Sequence, residues 1–252
     1  MNSPESSKGF FESKESVEKE RYSLTAEPRL VTIDGIDGLG KSTIAKKLVK
    51  KLQESFGEDK VIFVNSTKLS GSPKRERIGM RAKQENITAS RLETYYIAGV
   101  KSAYEEVIIP ALLKGKIVVA DRSEVDLLRY SFWRNDKESV EKRHEYIRNG
   151  TVTHGLWAGN RIFLESGAND TLANLKSRKN NSPDDPTSLE EVKANIDAQK
   201  EAEKSIELMP HQGEIKIIRE KVERVEDEEE REEYLNKIAE RLSANLDLSE
   251  KK

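Results

Sequence analysis

Short β-rich runs alternate with longer amphipathic stretches along most of the chain. Residues 88–114 carry apolar side chains at steps of three and four, which indicates a long helix with one buried face. Further helices are predicted over 188–208, where Ser188 and acidic residues are typical of a helix start, and over about 226–244. The predicted strands are 29–34, 60–64, 116–120, 161–165 and 214–218. This alternation predicts an α/β fold with a five-stranded parallel sheet that has helices on both faces.

The two ends of the chain lack this periodicity. Residues 1–28 are polar and charged, so we expect a flexible N-terminal extension. An alternative is that this extension binds a partner through Phe10 and Phe11. The domain itself is predicted to cover 29–246, followed by a charged C-terminal tail at 247–252.

A phosphate-binding motif follows the first predicted strand. Residues 35–43 match the pattern G-x-x-x-x-G-K-[ST] of P-loop proteins. In such a loop, backbone N–H groups point at phosphate oxygens, Lys41 supplies a positive charge and Ser42 offers a hydroxyl to Mg²⁺. The residues predicted to hold a nucleoside polyphosphate are Gly35, Gly38, Leu39, Gly40, Lys41, Ser42 and Thr43.

The carboxyl end of the 116–120 strand is the next candidate. Ligands collect at the carboxyl ends of strands in an open parallel sheet, and this strand runs directly into Asp121 and Arg122. A carboxylate there can hold Mg²⁺ through water or position an acceptor phosphate, and a guanidinium suits a second phosphate. A surface Asp-Arg pair at a strand end is the simpler alternative.

A basic segment supplies a candidate lid. Residues 175–188 begin with a basic stretch and continue into a polar loop that is bracketed by prolines. Phosphoryl transfer needs positive charge over the transferred group, and the variable positions of the phosphate loop hold no arginine. We expect Arg178 to meet that charge, with Lys176 and Lys179 as substitutes. An exposed basic helix end is the alternative.

Composition excludes several other classes of protein. The chain has 252 residues and a net charge of −2, which gives no electrostatic footprint for nucleic acid or membrane binding. It has no cysteine, so disulfides and cysteine-ligated zinc are excluded. No apolar run approaches the roughly 20 residues of a membrane span, and we expect a cytoplasmic protein. The three histidines share no ligand spacing.

The motifs together resemble a known family. Residues 34–43 resemble the Glu-Gly-x-Asp-Gly-x-Gly-Lys-x-Thr opening of bacterial thymidylate kinases, with Asp34 in place of the family's Glu. Residues 105–122 follow that family's helix, glycine and Asp-Arg strand end without a gap. The resemblance covers roughly residues 29–245. It implies a three-layer P-loop fold and transfer of the γ-phosphoryl group of ATP to a deoxynucleoside monophosphate, with Mg²⁺ held by Ser42 and Asp121.

The same resemblance implies roles for the acceptor site. Asp37 would help to position the acceptor, Arg122 would bind its phosphate, and Tyr96 would stack on its base. Tyr96 could equally pack in the core of the long helix. Dimerisation through that helix would also be consistent with the family.

Departures from the family pattern leave more than one possible phosphoryl acceptor. The family's base-reading arginine is Val100 here, and a site that loses such a donor changes its selectivity strongly. Lys101 could compensate, although it points about 100° further round the helix. Asp121-Arg122-Ser123 also resembles the Glu-Arg-Ser of deoxynucleoside kinases. A deoxynucleoside kinase and a non-catalytic nucleotide-binding protein are therefore the alternatives to a monophosphate kinase.

Overall fold

The computed structural model describes residues 24–66, 97–133, 137–178 and 185–248. Within these ranges, six parallel strands form one sheet in which β1 is central and the order is β2-β3-β1-β4-β6, with β5 also paired to β1. The strands are β1 (Leu24–Asp34), β2 (Val61–Asn65), β3 (Ile117–Asp121), β4 (Leu156–Glu165), β5 (His211–Gln212) and β6 (Lys216–Lys221).

Helices cover both faces of this sheet. The first part of α2 is helical at 97–103, and the helix continues through a π-helical turn, Tyr104–Ile108, to a last segment, Ile109–Leu113. The other helices are α1 (Lys41–Phe56), α3 (Glu124–Trp133), α4 (Lys137–Arg148), α5 (Ala168–Lys176), α6 (Leu189–Glu207) and α7 (Glu228–Asn245).

The alternating side chains of β1 show which helices pack on each face of the sheet. Val31 and Ile33 are fully buried in a cluster with residues of α1 and α7. Leu30 points to the opposite face and packs with residues of α2. Successive side chains of a strand point to opposite faces, so Thr32 and Asp34 share the face of Leu30. The predicted three-layer α/β fold is confirmed.

The strands differ from the sequence prediction in number and extent. A two-residue strand, β5, makes six strands rather than five. The last long strand is Lys216–Lys221 rather than 214–218. β1 begins at Leu24, so residues 24–28 belong to the sheet and not to the predicted N-terminal extension. The register of β1 against β4 shifts between Glu27 and Val31, a bulge that accommodates Pro28, which has no N–H to donate.

The helix predictions agree where the structure describes them. The predicted helix at 188–208 is Leu189–Glu207, and its Ser188 forms a capping box with Glu191. The helix predicted at 226–244 is Glu228–Asn245, where Asp227 accepts a hydrogen bond from the backbone N–H of Glu230. The long helix predicted from residue 88 is observed from residue 97, and its first residues lie outside the described ranges.

Candidate functional site

The phosphate loop connects β1 to α1 at the carboxyl end of the central strand. Gly35 has φ 149°, and a Cβ at this position would lie 2.8 Å from the backbone oxygen of Leu164 in β4. Only glycine fits such a close approach. The N-terminus of α1 at Lys41 then faces the loop, where the positive end of the helix dipole favours bound phosphate.

Lys41 lies within this loop and is almost completely buried. Its Nζ donates a hydrogen bond to the backbone oxygen of Ile36 at 2.7 Å and lies 3.8 Å from a carboxylate oxygen of Asp37. Burial, reinforced by the positive charge of Arg122, lowers the pKa of Lys41 to about 8. A polyphosphate bound in the loop would stabilise the charged form of this amine.

Ser42 and Asp121 meet beside the loop. The hydroxyl of Ser42 donates a hydrogen bond to Asp121 Oδ2, which also accepts one from Asn65 Nδ2 at 2.7 Å. The other oxygen, Oδ1, is buried and has no hydrogen-bond partner among the described residues. Hydroxyl, carboxylate and amide oxygens are ligands that Mg²⁺ prefers, so this pair fits a nucleotide-bound magnesium ion. The described ranges hold no cluster of three His, Asp or Glu side chains that would bind a metal alone.

Two carboxylates and two guanidiniums form a buried cluster at the end of β3. Arg122 binds Asp37 of the phosphate loop and Asp126 of α3. Arg129, which is fully buried, donates from Nε to Asp126 Oδ1 at 3.0 Å and binds Asn195 of α6. The Nη2 of Arg129 also lies 3.6 Å from Asp37 Oδ2. The cluster therefore links the phosphate loop to α3 and α6.

The charges of this cluster stabilise one another. Burial alone would raise the pKa of Asp37, but Arg122, Lys41 and Arg129 together hold it far below its usual value. Burial opposes the charge of Arg122, but the carboxylates of Asp126 and Asp37 raise its pKa well above the normal range. Arg122 also has φ 75°, an uncommon backbone conformation for a non-glycine residue that often marks functional sites.

A second buried group lies at the end of β1. Asp34 accepts hydrogen bonds from the backbone N–H and the hydroxyl of Ser123, both at 2.8 Å. Burial, together with the negative charges of Asp126 and Glu124, raises the pKa of Asp34 to about 7. Glu124 is bound by the buried Arg161. Asp34 therefore anchors the backbone that follows the Asp-Arg pair.

The phosphate loop opens into a cavity of about 530 Å³. Arg178, at the end of α5, faces this cavity and lies 3.7 Å from Asp185. Arg231 of α7 also lines it. The full lining is Asp37, Gly38, Gly40, Lys41, Ser42, Thr43, Asn65, Arg122, Asn174, Ser177, Arg178 and Arg231. Three guanidiniums, those of Arg122, Arg178 and Arg231, thus line the cavity together with the loop, an arrangement that suits a polyphosphate.

Some predicted site residues lie elsewhere. Lys101 is exposed, and its Nζ is 3.9 Å from Glu105, so the structure does not place it beside the phosphate loop. Val100 is fully buried among apolar residues of α2 and the sheet. Tyr96 and Lys179 lie outside the described residues.

Sequence reasoning missed Asp126, Arg129, Asn195 and Arg231. A signal for the first two was present, because they are charged residues within the largely apolar helix that directly follows Asp121 and Arg122. Asn195 and Arg231 come from distant parts of the chain. Only the packing of α6 and α7 brings these two residues to the site.

Comparisons with known proteins agree with this geometry. The family model for thymidylate kinase matches residues 33–153. Similar curated proteins include the thymidylate kinases of Mycoplasma mobile, 37% identical over 95 residues, and of Blochmanniella floridana, 34% identical over 159 residues. The Blochmanniella match covers 60% of this chain and 71% of the relative. The Mycoplasma match covers 36% of this chain and 45% of the relative.

A solved thymidylate kinase from Ehrlichia chaffeensis has the same fold, with a TM-score of 0.58 and 18% identity over 86% of this chain and 98% of that chain. The chain spans less than half the length of the first curated relatives it matches, 45% for Mycoplasma mobile and 44% for Anaplasma marginale. The family model nevertheless includes the phosphate loop and the Asp-Arg strand end, and the Blochmanniella match covers more than two thirds of that relative. On this evidence the chain belongs to the thymidylate kinase family.

Proposed function

We propose that this protein transfers the γ-phosphoryl group of ATP to a deoxynucleoside monophosphate, with dTMP as the first candidate acceptor. The observation that carries the proposal is the contact between Arg122 and Asp37. It joins a guanidinium suited to an acceptor phosphate to the loop suited to the donor. Family membership supports the same activity, because the named relatives are thymidylate kinases.

The proposed reaction needs positioning and charge neutralisation. An oxygen of the acceptor phosphate attacks the γ-phosphorus, the bond from that phosphorus to the β,γ-bridging oxygen breaks, and ADP leaves with the bond's electron pair. Lys41 binds the β- and γ-phosphates, and Arg122 holds the acceptor phosphate in line. Arg178 approaches the transferred group from the end of α5, since it already faces the cavity.

Magnesium belongs to this proposal as well. Ser42 and Asp121, whose Oδ1 has no hydrogen-bond partner in the part of the chain that the structure describes, would hold the ion, directly or through water. The ion would neutralise charge on the β- and γ-phosphates. Asn65 fixes the other oxygen of Asp121, so the carboxylate is already oriented before nucleotide binds.

Two other expectations from sequence concern the membrane and the oligomeric state. No helix within the described ranges is long and apolar enough to cross a membrane. A homodimer formed through α2 stays a prediction of the family resemblance, and sedimentation at several protein concentrations would test it.

A panel of acceptors tests the proposed function. ATP consumption would be coupled to ADP detection with each common deoxynucleoside and deoxynucleoside monophosphate, using wild type and Lys41→Ala. The control variant is Lys114→Ala, which changes an exposed lysine in the turn after α2.

We expect turnover with dTMP in wild type and in the control, and none with Lys41→Ala. Turnover with nucleosides but not with monophosphates would instead establish a deoxynucleoside kinase. Nucleotide binding without any turnover would establish a binding protein, and either result would overturn the proposal.

A further inference from the structure

Arg129 is a fully buried arginine that the proposed chemistry does not use. Burying a guanidinium is costly unless its partners are well placed, and removing one partner of a buried pair costs more still. Its partners are Asp126, Asn195 and, at 3.6 Å, Asp37, while its guanidinium carbon lies 4.5 Å from the centre of the Tyr130 ring. Because Arg129 is fully buried, it does not reach the cavity where phosphate would bind.

The two arginines divide the same two carboxylates between them. Arg122 binds Oδ1 of Asp37 and Oδ2 of Asp126. Arg129 faces the remaining oxygen of each, Oδ2 of Asp37 and Oδ1 of Asp126. Each carboxylate therefore has one guanidinium on each oxygen.

This division matters because Arg122 is already occupied. An acceptor phosphate that binds in a bidentate way competes with Asp37 and Asp126 for the two Nη atoms of Arg122, so its binding loosens the contact with at least one of these largely buried carboxylates. A released carboxylate with no other cation beside it would be left buried and unpaired, which is strongly unfavourable. Arg129 supplies that other cation for Asp126, and it joins Lys41, whose Nζ is 3.8 Å from Asp37, in supplying it for Asp37.

The geometry around Arg129 Nη2 fits this task. This nitrogen is buried and has no hydrogen-bond partner among the described residues. It lies 3.6 Å from Asp37 Oδ2, just beyond hydrogen-bond distance. A small shift of Asp37 toward Arg129 would complete the bond as Arg122 leaves.

The local charge balance points the same way. Lys41, Arg122 and Arg129 carry three positive charges against the two negative charges of Asp37 and Asp126, all within the contacts described above. The cluster therefore has one positive charge in excess before substrate arrives. Without Arg129 the charges cancel, and an incoming phosphate dianion would meet a neutral group.

We propose that Arg129 is a positioning residue of the acceptor site, which holds Asp37 and Asp126 so that Arg122 is released to bind the acceptor's phosphate. The inference rests on the proposed function, since it concerns the same acceptor site. It assigns Arg129 no contact with substrate. Its effect is on the phosphate group of the acceptor and not on the base, the sugar or ATP.

The test compares ligands with and without the acceptor phosphate. Binding of dTMP, thymidine and ATP would be measured by calorimetry for wild type, Arg129→Met, Arg129→Lys and the control Arg148→Met, which changes an exposed arginine of α4. We expect Arg129→Met to weaken dTMP binding by about 10- to 100-fold, as loss of a buried charge partner does. Thymidine and ATP affinities should stay within about twofold of wild type.

The variants separate positioning from general damage to the structure. Arg129→Lys keeps the charge and should recover part of the dTMP affinity. If Arg129→Met fails to fold, Arg129→Lys carries the test, because it keeps a buried positive charge. Its affinity for dTMP should fall by more than its affinities for thymidine and ATP, and equal changes for all three ligands would overturn the proposal.

Two results have different meanings. Equal losses for dTMP, thymidine and ATP, or no loss for any of them, would overturn the role of Arg129. Failure of wild type itself to bind any monophosphate would instead overturn the proposed function, whatever the variants do.

Discussion

Lys41 combines an almost completely buried position with an amine whose charge the reaction needs. Its pKa of about 8 in the free protein follows from burial and from the nearby Arg122, with Asp37 opposing the shift. Bound phosphates favour the ammonium form, so they raise this pKa again. ATP binding should therefore be coupled to uptake of a proton above neutral pH.

This coupling gives a prediction for ATP affinity. As pH rises through about 8, affinity should fall by up to about tenfold per pH unit, because one proton must be bound with the nucleotide. Calorimetry in buffers with different ionisation enthalpies would measure the proton uptake directly. Lys41→Arg is the control, since arginine stays charged. The ATP affinity of this variant should not change over the same pH range. Equal wild-type affinity at both ends of this range, without proton uptake, would contradict the account.

Asp34 gives a second prediction, for stability. Its pKa is about 7 in the folded protein, against an ordinary value of 3.8 for an aspartate side chain. Between these values the unfolded chain is ionised while the folded one keeps its proton, so this residue makes stability fall as pH rises. Above about pH 7 both are ionised, and the penalty is constant, on the order of a few kcal/mol.

Asp34→Asn removes that penalty. In urea unfolding, the variant should have a higher free energy of unfolding than wild type. This gain should grow from pH 5 to pH 8, because the penalty in wild type increases until the pH reaches the folded-state pKa of about 7. Asp59→Asn, at an exposed position, is the matched control and should show no such trend. A gain that is the same at both pH values would show that Asp34 is not the titrating group.

At the level of helices, α6 connects stability to the site because it carries Asn195, the partner of Arg129. Ser188 accepts a hydrogen bond from the backbone N–H of Glu191 at 3.2 Å and completes the capping box. Ser188→Ala should lower the free energy of unfolding by about 1 kcal/mol. Ser55→Ala, in the exposed last turn of α1, should change it by less than about 0.5 kcal/mol. If the two substitutions changed the free energy of unfolding equally in urea, loss of the cap would not be the cause.

Helix ends and strands were predictable because local chemistry sets them. Ser188 and its acidic neighbours predicted the start of α6, and the glycines of residues 35–40 predicted the turn after β1. The two-residue β5 was not predictable, since it depends on pairing with Leu24 and Thr25 of a distant strand. The bulge at Pro28 likewise depends on β4, where a Cβ on Gly159 would lie 2.7 Å from Pro28.

For the molecule as a whole, sheet order decides what meets at the site. β1 lies between β3 and β4, so the phosphate loop after β1 and the Asp-Arg pair after β3 end side by side. This much follows from the sequence, because parallel strands share one carboxyl edge. The parts contributed by α6 and α7 do not follow from it, since tertiary packing brings Asn195 to Arg129 and Arg231 to the cavity.

Transfer of labelled phosphate from ATP to dTMP is a direct test of the proposed activity. Protein would be mixed with ATP labelled in its γ-phosphate and with dTMP, and the products separated and counted. We expect label in dTDP with wild type and with Lys114→Ala, and no labelled dTDP with Lys41→Ala. Label that appears only as inorganic phosphate, or that reaches dTDP equally with Lys41→Ala, would contradict it.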